Sequence, residues 1–183
     1  MPPPLPSYPC IFKSRKGSGG TSIALVESEK FLSDHCELLT DENIFQELLL
    51  PEDEEYTCGV YRTLIGNVRT IIFKRRLAMK GGHSDKGVLV ENSDVMNLLL
   101  SIADKLDLKG SINVQLKLTK DGPKVFEINP RFSSTIVFRH ILGFSDVLWS
   151  IEESFNMPLM DEYVPVKKNV KFFKVFDELV LEN

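Results

Sequence analysis

Two stretches of alternating apolar and polar residues, 111–118 and 124–129, constrain the fold of this 183-residue chain more than any other feature. A period of two predicts β-strands, and the polar segment TKDG at 119–122 predicts a tight turn between them. We therefore predict an antiparallel hairpin with one apolar face and one polar face. The residues predicted to face the core are Ile112, Val114, Leu116, Leu118, Phe126 and Ile128. Those predicted to face away from it are Asn113, Gln115, Lys117, Val125, Glu127 and Asn129.

The polar face of this hairpin brings oxygen-bearing side chains together. With the turn centred on Asp121, Gln115 and Glu127 become direct cross-strand neighbours, whose Cβ atoms lie about 5 Å apart. Asn129 follows on the same face, and Arg131 comes just beyond it. Amide oxygens with one carboxylate suit Mg²⁺, and a nearby cation is suited to the charge on a transferred phosphate. From the alternation alone, a hairpin with one solvated face is the more common explanation.

A glycine-rich segment near the N-terminus is a second feature suited to phosphate. KGSGGT at 16–21 follows Lys13 and Arg15 and lies between two short apolar strands, 8–13 and 22–26. Glycines let backbone amides approach phosphate oxygens closely. The segment lacks the GxxxxGK[ST] spacing and no helix follows it at once, so a Walker-type site is not supported. A flexible surface turn has the same composition, so this segment alone does not establish a phosphate site.

The remaining periodicities predict an α+β fold. Alternation in 55–62 and 68–77 adds antiparallel strands, and apolar residues at helical spacing predict helices over 95–108, 136–142 and 146–157. The expected architecture is a small lobe hinged to a larger antiparallel sheet, which helices cover on one face. The expected domains are an extended lead-in at 1–8, the small lobe at 9–47, the large lobe at 48–160 and C-terminal strands at 161–183.

Composition narrows the partners of such a protein. The 22 Lys and Arg residues against 26 Asp and Glu give a net charge of −4, which argues against binding to nucleic acid or to an anionic membrane. No apolar run approaches the ~20 residues of a membrane span, and the proline-rich start lacks the pattern of a signal peptide. The odd number of cysteines, Cys10, Cys36 and Cys58, favours a reducing compartment. We therefore expect a cytoplasmic protein.

Four segments, taken in order, carry a family resemblance. They are YPCIFKSRKGSGGTSIALV (8–26), NIFQELL…EEYTCGV (43–60), KGSINVQLKL (109–118) and VFEINPRFSST…GFSD (125–146). With them the chain resembles the ATP-grasp superfamily, most closely the ATP-binding lobes of the carbamoyl-phosphate synthase large chain. The resemblance implies that ATP lies between two α+β lobes and phosphorylates a carboxylate, after which an amine or another nucleophile attacks the acyl phosphate. It therefore implies an ATP-dependent carboxylate–amine ligase that uses Mg²⁺ or Mn²⁺ and an unidentified carboxylate substrate.

The same resemblance implies roles for individual positions. Arg131 and Glu127 match catalytic residues, and Gln115, Glu127 and Asn129 match the metal ligands. Glu55 matches the carboxylate that holds the ribose hydroxyls, with Glu54 as its rival. The other positions implied to bind the nucleotide are Lys13, Gly17, Ser18, Gly19, Gly20, Thr21, Glu47, Leu49, Lys74 and His83.

The resemblance also implies which part of the nucleotide each of these positions binds. Lys13 is implied to contact phosphate and the adenine side, while loop 17–21 closes over the triphosphate. Glu47 and Leu49 fall where backbone groups are offered to adenine. In the family, the region that matches Lys74, Arg75 and His83 supplies further phosphate contacts, but the alignment of the individual positions is left open. For His83 the alternative is an exposed loop histidine.

The sequence also departs from the family pattern. Ser133, Ser134 and Thr135 stand where carbamoyl-phosphate synthases tend to place a further arginine, which leaves the substrate open. The chain begins at the small lobe, whereas a complete ATP-grasp enzyme has a preceding domain. We therefore expect this chain alone to be incomplete and inactive. The alternative is a non-catalytic nucleotide-binding module or a split-enzyme fragment that needs a partner chain, and a homodimer is also kept as an alternative.

Overall fold

A computed structural model describes residues 7–16, 23–75, 86–159, 163 and 169–174 of the chain. The glycine-rich loop 17–21, His83 and most of the predicted C-terminal strands lie outside these residues. No helix among those described is long and apolar enough to cross a membrane. In chain order the elements are β1 (Cys10–Ser14), β2 (Ile23–Val26), α1 (Glu29–Asp34), a 3₁₀ turn (Cys36–Leu38), β3 (Asn43–Glu47), β4 (Glu55–Arg62), β5 (Val68–Arg75), β6 (Lys86–Leu89), α2 (Ser93–Lys105), β7 (Gly110–Thr119), β8 (Gly122–Asn129), α3 (Ile136–Ile141), α4 (Asp146–Ser154) and β9 (Lys171–Phe173).

The first three strands form a small antiparallel sheet in the order β2-β1-β3. Strand β1 pairs with both neighbours, as the two short apolar runs predict. Helix α1 begins after Ser28, whose Oγ accepts a hydrogen bond from the Phe31 amide (3.4 Å) and so caps the helix. The sheet and helix bury a small core of their own, formed by Cys10, Val26, Leu32 and Phe45.

The other six strands form a larger antiparallel sheet in the order β8-β7-β4-β5-β6-β9. Helix α2 begins after Asn92, whose side chain accepts from the Val95 amide (2.9 Å), and packs its apolar stripe on one face of the sheet. The main core lies between them and contains Tyr56, Cys58, Val60, Ile72, Val95, Leu99, Ala103, Ile112, Val114 and Leu116. The α+β fold with a smaller and a larger sheet is therefore confirmed.

Helices cover both faces of the large sheet, so the prediction of helices on one face was wrong. Helices α3 and α4 pack on the face opposite α2, where Trp149 and Phe144 meet Tyr61 of the central strand β4. The physical reason is that β4 is buried on both sides, because its alternate residues are apolar or small. Gly59 shows how tight this second core is: a Cβ at that position would lie 2.8 Å from the Phe144 ring and 3.0 Å from the Arg139 guanidinium carbon.

The hairpin of β7 and β8 confirms the central pairing and corrects the faces. Gln115 lies opposite Glu127, as predicted, but the turn is not centred on Asp121, because Thr119 lies opposite Gly122 and Leu116 opposite Val125. Phe126 is therefore an extra residue in a β-bulge, and the bulge restores the predicted pair. A bulge reverses the alternation on one side of it. The predictions that Val125 faces away from the core and that Phe126 faces it were therefore wrong: Val125 packs against the main core. Ile128 lies opposite buried Val114 but remains 41% exposed because β8 is an edge strand.

Candidate functional site

The polar face of the hairpin brings the three predicted metal ligands together. Gln115 and Glu127 are paired across the strands, and Asn129 follows on β8, opposite Asn113. The Asn129 amide nitrogen donates to Glu127 Oε1 (2.7 Å), which fixes these two side chains against each other. All three residues are half-buried. The β7–β8 register, set by the turn and the bulge, thus creates one cluster of side-chain oxygens.

The donor set of this cluster fits Mg²⁺ or Mn²⁺. It consists of one carboxylate and two amide oxygens, which are the oxygen ligands that these cations accept alongside water and substrate phosphates. The amide oxygen of Asn129 becomes available to a cation once its side chain turns by half a rotation, because the two amide atoms differ little in size. No group of three or more His, Cys, Asp or Glu side chains suited to a metal occurs in the part of the chain that the structure describes. The cluster therefore depends on its amides and was recognisable only from the strand register.

Arg75 and Glu55 form a buried ion pair beside this cluster. Arg75 Nη1 donates to Glu55 Oε1 and also to Gln115 Oε1 (3.1 Å). The side chains of Arg75 and Glu55 are only 6% and 13% exposed. The predicted ribose carboxylate is thus adjacent to the candidate metal ligands and already bound to a cation.

Glu54, the alternative candidate for the ribose carboxylate, occupies a more open position than Glu55. Glu54 accepts hydrogen bonds from Lys74 Nζ and from the Tyr56 hydroxyl (2.7 Å), and its side chain is 27% exposed. The hydrogen bond from Lys74 lowers the pKa of Glu54 below its usual value. Burial, followed by the bond to Glu54, raises the pKa of Tyr56. Lys74, predicted to contact phosphate, is therefore paired with a carboxylate that lies just before β4, the strand beside its own.

Lys13 connects the small sheet to the candidate metal site. Its ammonium group donates to the carbonyl oxygen of Phe126 (3.0 Å), and Gln46 of β3 donates to the same oxygen (3.3 Å). Phe126 is the bulge residue, which has no partner on β7. Burial lowers the pKa of Lys13, and the negative charge of Glu127 opposes that shift. The bulge thus provides one contact between the large sheet and strands β1 and β3.

A cavity of about 330 Å³ opens between the two sheets. Two of its lining residues, Lys124 and Glu47, are paired, with Lys124 Nζ 2.7 Å from Glu47 Oε1. A third, Leu49, accepts a hydrogen bond at its carbonyl oxygen from Lys117 Nζ (3.1 Å). The volume of the cavity is at the lower end of the range of small-molecule pockets. The residues that line it are Gln46, Glu47, Leu49, Lys124, Val125 and Phe126.

Arg131 lies outside the hydrogen-bonded cluster. It is exposed just beyond the end of β8, and its Nη1 donates to the neighbouring Phe132 carbonyl oxygen (3.0 Å). Loop 17–21 and His83 lie outside the described residues, so their positions relative to the cluster stay predictions.

A buried polar network under the cluster was missed by the sequence reasoning. Arg139 of α3 is fully buried, and its Nη2 donates to the Asn113 side-chain oxygen, which also accepts from Thr57 Oγ1 (3.0 Å). Arg139 Nη1 lies 3.5 Å from Asp146 Oδ2, and burial lowers the pKa of this arginine to about 10. The one signal for this network in the sequence was the placement of Asn113 on the polar face. Arg139 itself gave no signal, because arginine is rarely fully buried.

Comparison with known proteins identifies the architecture. The family model described as ATP-grasp in the biosynthetic pathway with Ter operon matches residues 16–175. The ADP complex of N5-carboxyaminoimidazole ribonucleotide synthetase superposes with a TM-score of 0.68 at 19% identity, over 88% of this chain and 45% of that chain. The synthetase of the same name from Thermus thermophilus gives 0.68 at 14% identity, over 92% and 57%. The biotin carboxylase domain of Hydrogenobacter thermophilus 2-oxoglutarate carboxylase, with MgADP and bicarbonate, gives 0.67 at 16% identity, over 90% and 40%.

These solved structures are similar in fold. The chain spans about half the length of the structures it matches, between 40% and 57% in the three described. The closer resemblance to carbamoyl-phosphate synthase stays a prediction of the sequence.

Proposed function

Because the chain belongs to the family of ATP-grasp proteins in the biosynthetic pathway with Ter operon, we propose that it is the ATP- and Mg²⁺-binding catalytic portion of a carboxylate–amine ligase. The observation that carries the proposal is the pairing of Gln115 with Glu127 beside Asn129. Lys13 lies close enough to Glu127 for the carboxylate to influence its pKa. The proposed metal ligands and the proposed phosphate-binding cation, Lys13, therefore lie close together on the two sheets.

The nucleotide is proposed to lie between the sheets, with adenine in the 330 Å³ cavity next to Glu47 and Leu49. Glu55 or Glu54 would hold the ribose hydroxyls, and Glu54 is the more accessible of the two. Lys13, Lys74 and His83 would contact phosphate oxygens, with loop 17–21 covering the triphosphate. Gln115, Glu127 and Asn129 would hold Mg²⁺ or Mn²⁺, which supplies charge neutralisation at the phosphates when bound.

The proposed reaction has two steps. A substrate carboxylate oxygen attacks the γ-phosphorus of ATP, the bond to the β,γ-bridging oxygen breaks, and ADP leaves with that electron pair. An amine then attacks the acyl carbon, the bond from that carbon to the phosphate oxygen breaks, and inorganic phosphate leaves with that electron pair and takes up the proton that the amine loses. Arg131 would turn toward the γ-phosphate and stabilise the charge that develops there. The carboxylate and the amine are not identified, and a carbamoyl-phosphate-synthase-like substrate is one form of the proposal.

The acceptor half of the site is proposed to come from residues outside this chain. The solved structures that it matches are about twice as long, so a preceding domain or a partner chain would supply the groups that bind the carboxylate. A split-enzyme fragment is therefore the second candidate, and it differs from the first only in where the missing part is encoded. Three free cysteines agree with a reducing compartment, and we propose the cytoplasm.

The test measures ATP binding by calorimetry with and without Mg²⁺. We expect the chain to bind ATP more tightly with Mg²⁺, and Glu127→Ala to lose both the Mg²⁺ effect and most of the affinity, since Glu127 is the one carboxylate of the cluster. Asp104→Asn is the matched control, because Asp104 is 70% exposed and pairs with Arg62 away from the site. Equal affinity with and without Mg²⁺, unchanged in Glu127→Ala, would refute the assignment of the metal site.

A further inference from the structure

Arg75, at the end of β5, is bonded to two residues that have separate roles in the proposed site. Its Nη1 donates to Glu55 Oε1 and to the Gln115 amide oxygen (3.1 Å). Both members of the ion pair are largely buried, so salt and water screen it little. One guanidinium nitrogen therefore connects the candidate ribose carboxylate with a candidate metal ligand.

The atom of Gln115 that Arg75 holds is the atom that a divalent cation would need. The amide side chain has a single oxygen, and Mg²⁺ and Mn²⁺ bind oxygen rather than amide nitrogen. A guanidinium group and a metal ion on the same oxygen place positive charges within a few ångströms, where they repel each other strongly in a poorly solvated site. Binding of Arg75 and binding of a cation to Gln115 therefore oppose each other.

We propose that Arg75 is an internal competitor of the divalent cation, which holds Gln115 in the absence of metal and withdraws toward Glu55 when metal binds. This inference rests on the proposed function. Glu55 still compensates the guanidinium charge after the withdrawal, so no buried charge is left unpaired. A free cation is repelled by the charge of Arg75, whereas a cation that arrives with a nucleoside triphosphate brings negative charge that offsets this repulsion. The site therefore favours the cation–nucleotide complex over the free cation.

The test measures the binding of free Mn²⁺ and of Mn²⁺ with ATP to the whole chain, by electron paramagnetic resonance of the unbound ion. The double variant Arg75→Gln with Glu55→Gln removes the competitor together with its counter-charge, so no buried charge is left unpaired. The unmodified chain is its reference. Loss of a charge-assisted hydrogen bond predicts that the double variant binds free Mn²⁺ about tenfold more tightly than the reference. Its affinity for Mn²⁺ with ATP is expected not to rise, which a general change in packing would not produce.

Lys74→Gln is the control for charge, because Lys74 is the neighbour of Arg75 and donates to Glu54 instead of Gln115. It is expected to tighten free Mn²⁺ binding less than the double variant does. A double variant whose free Mn²⁺ affinity is within about twofold of the reference overturns the competition. If Glu127→Gln abolishes Mn²⁺ binding but removal of Arg75 does not tighten it, the proposed function stands and this inference alone fails. Two outcomes overturn both the proposed function and this inference. In the first, none of the proteins binds Mn²⁺, with or without ATP; in the second, removal of Arg75 still tightens Mn²⁺ binding in the presence of Glu127→Gln.

Discussion

Arg139 provides a sharp test of how the large sheet is held together. Its side chain is 0% exposed and lies between the Asn113 amide oxygen and the carboxylate of Asp146, which is 1% exposed. Replacing Arg139 by methionine keeps most of the apolar volume but leaves the Asp146 carboxylate buried without its cation. Removal of one partner of a buried ion pair costs about 3–5 kcal/mol. Against a total stability of about 5–15 kcal/mol for a protein domain, such a loss is large.

A second substitution separates the charge effect from a packing effect. Asp146→Asn, added to Arg139→Met, removes the unpaired charge and keeps a side-chain oxygen for the Ser111 hydroxyl, which now donates to Asp146 at 2.7 Å. The double variant is therefore expected to recover about 2 kcal/mol or more of the loss. Asp104→Asn is the control, because Asp104 is 70% exposed where it pairs with half-buried Arg62, and breaking such a solvent-screened pair costs less than about 1 kcal/mol.

The assay is urea unfolding at pH 7, followed by circular dichroism, with the free energy of unfolding compared among the four proteins of the cycle. Similar slopes against urea would show that all of them unfold the same amount of surface. The reasoning is refuted if Arg139→Met costs less than about 1 kcal/mol, or if the losses of the two single variants simply add in the double variant.

Two further predictions concern pH and catalysis. Burial raises the pKa of the Cys58 thiol to about 12, whereas the unfolded thiol titrates near its ordinary value. The folded state therefore gains stability from the protonated thiol, and this gain is complete well below pH 9 and falls as the pH rises. Between pH 8 and pH 10 the unmodified chain should lose about 1.4 kcal/mol more stability than Cys58→Ala in urea unfolding, and parallel pH profiles would contradict this. Arg131→Ala should keep ATP and Mg²⁺ binding while acyl-phosphate formation by the complete enzyme falls by about 10²–10³ at saturation. Loss of ATP binding with an unchanged saturated rate would contradict the role given to Arg131.

The pairing of Gln115 with Glu127 was predicted, but a turn centred on Asp121 is not what produces it. The turn pairs Thr119 with Gly122, and this register continues to Leu116 and Val125. The bulge then adds one residue to β8 and brings Glu127 opposite Gln115. The faces near the turn could not be predicted, because the bulge at Phe126 depends on how β8 meets the small sheet as well as on its own residues. Val125 consequently packs in the core, although simple alternation assigns it to the polar face.

The partners of the site were harder to predict than its ligands. The ion pair of Glu55 with Arg75 requires the β4–β5 register, in which Tyr56 lies opposite Lys74, and not only the identity of each strand. The burial of Arg139 is contrary to the usual exposure of arginine. It becomes intelligible only because α3 packs on the second face of the sheet, where no helix was predicted, next to a glycine that leaves room for the guanidinium group.

The bulge at Phe126 connects these observations. By adding one residue to β8, it lets Val125 fill the core while Glu127, two residues later, faces Gln115 on the opposite side of the sheet. The added residue has no partner on β7, and its carbonyl oxygen accepts hydrogen bonds from Lys13 of β1 and Gln46 of β3. A regular strand would keep Val125 and Glu127 on the same face. The same irregularity therefore forms the cluster of side-chain oxygens and gives the small sheet a contact beside it.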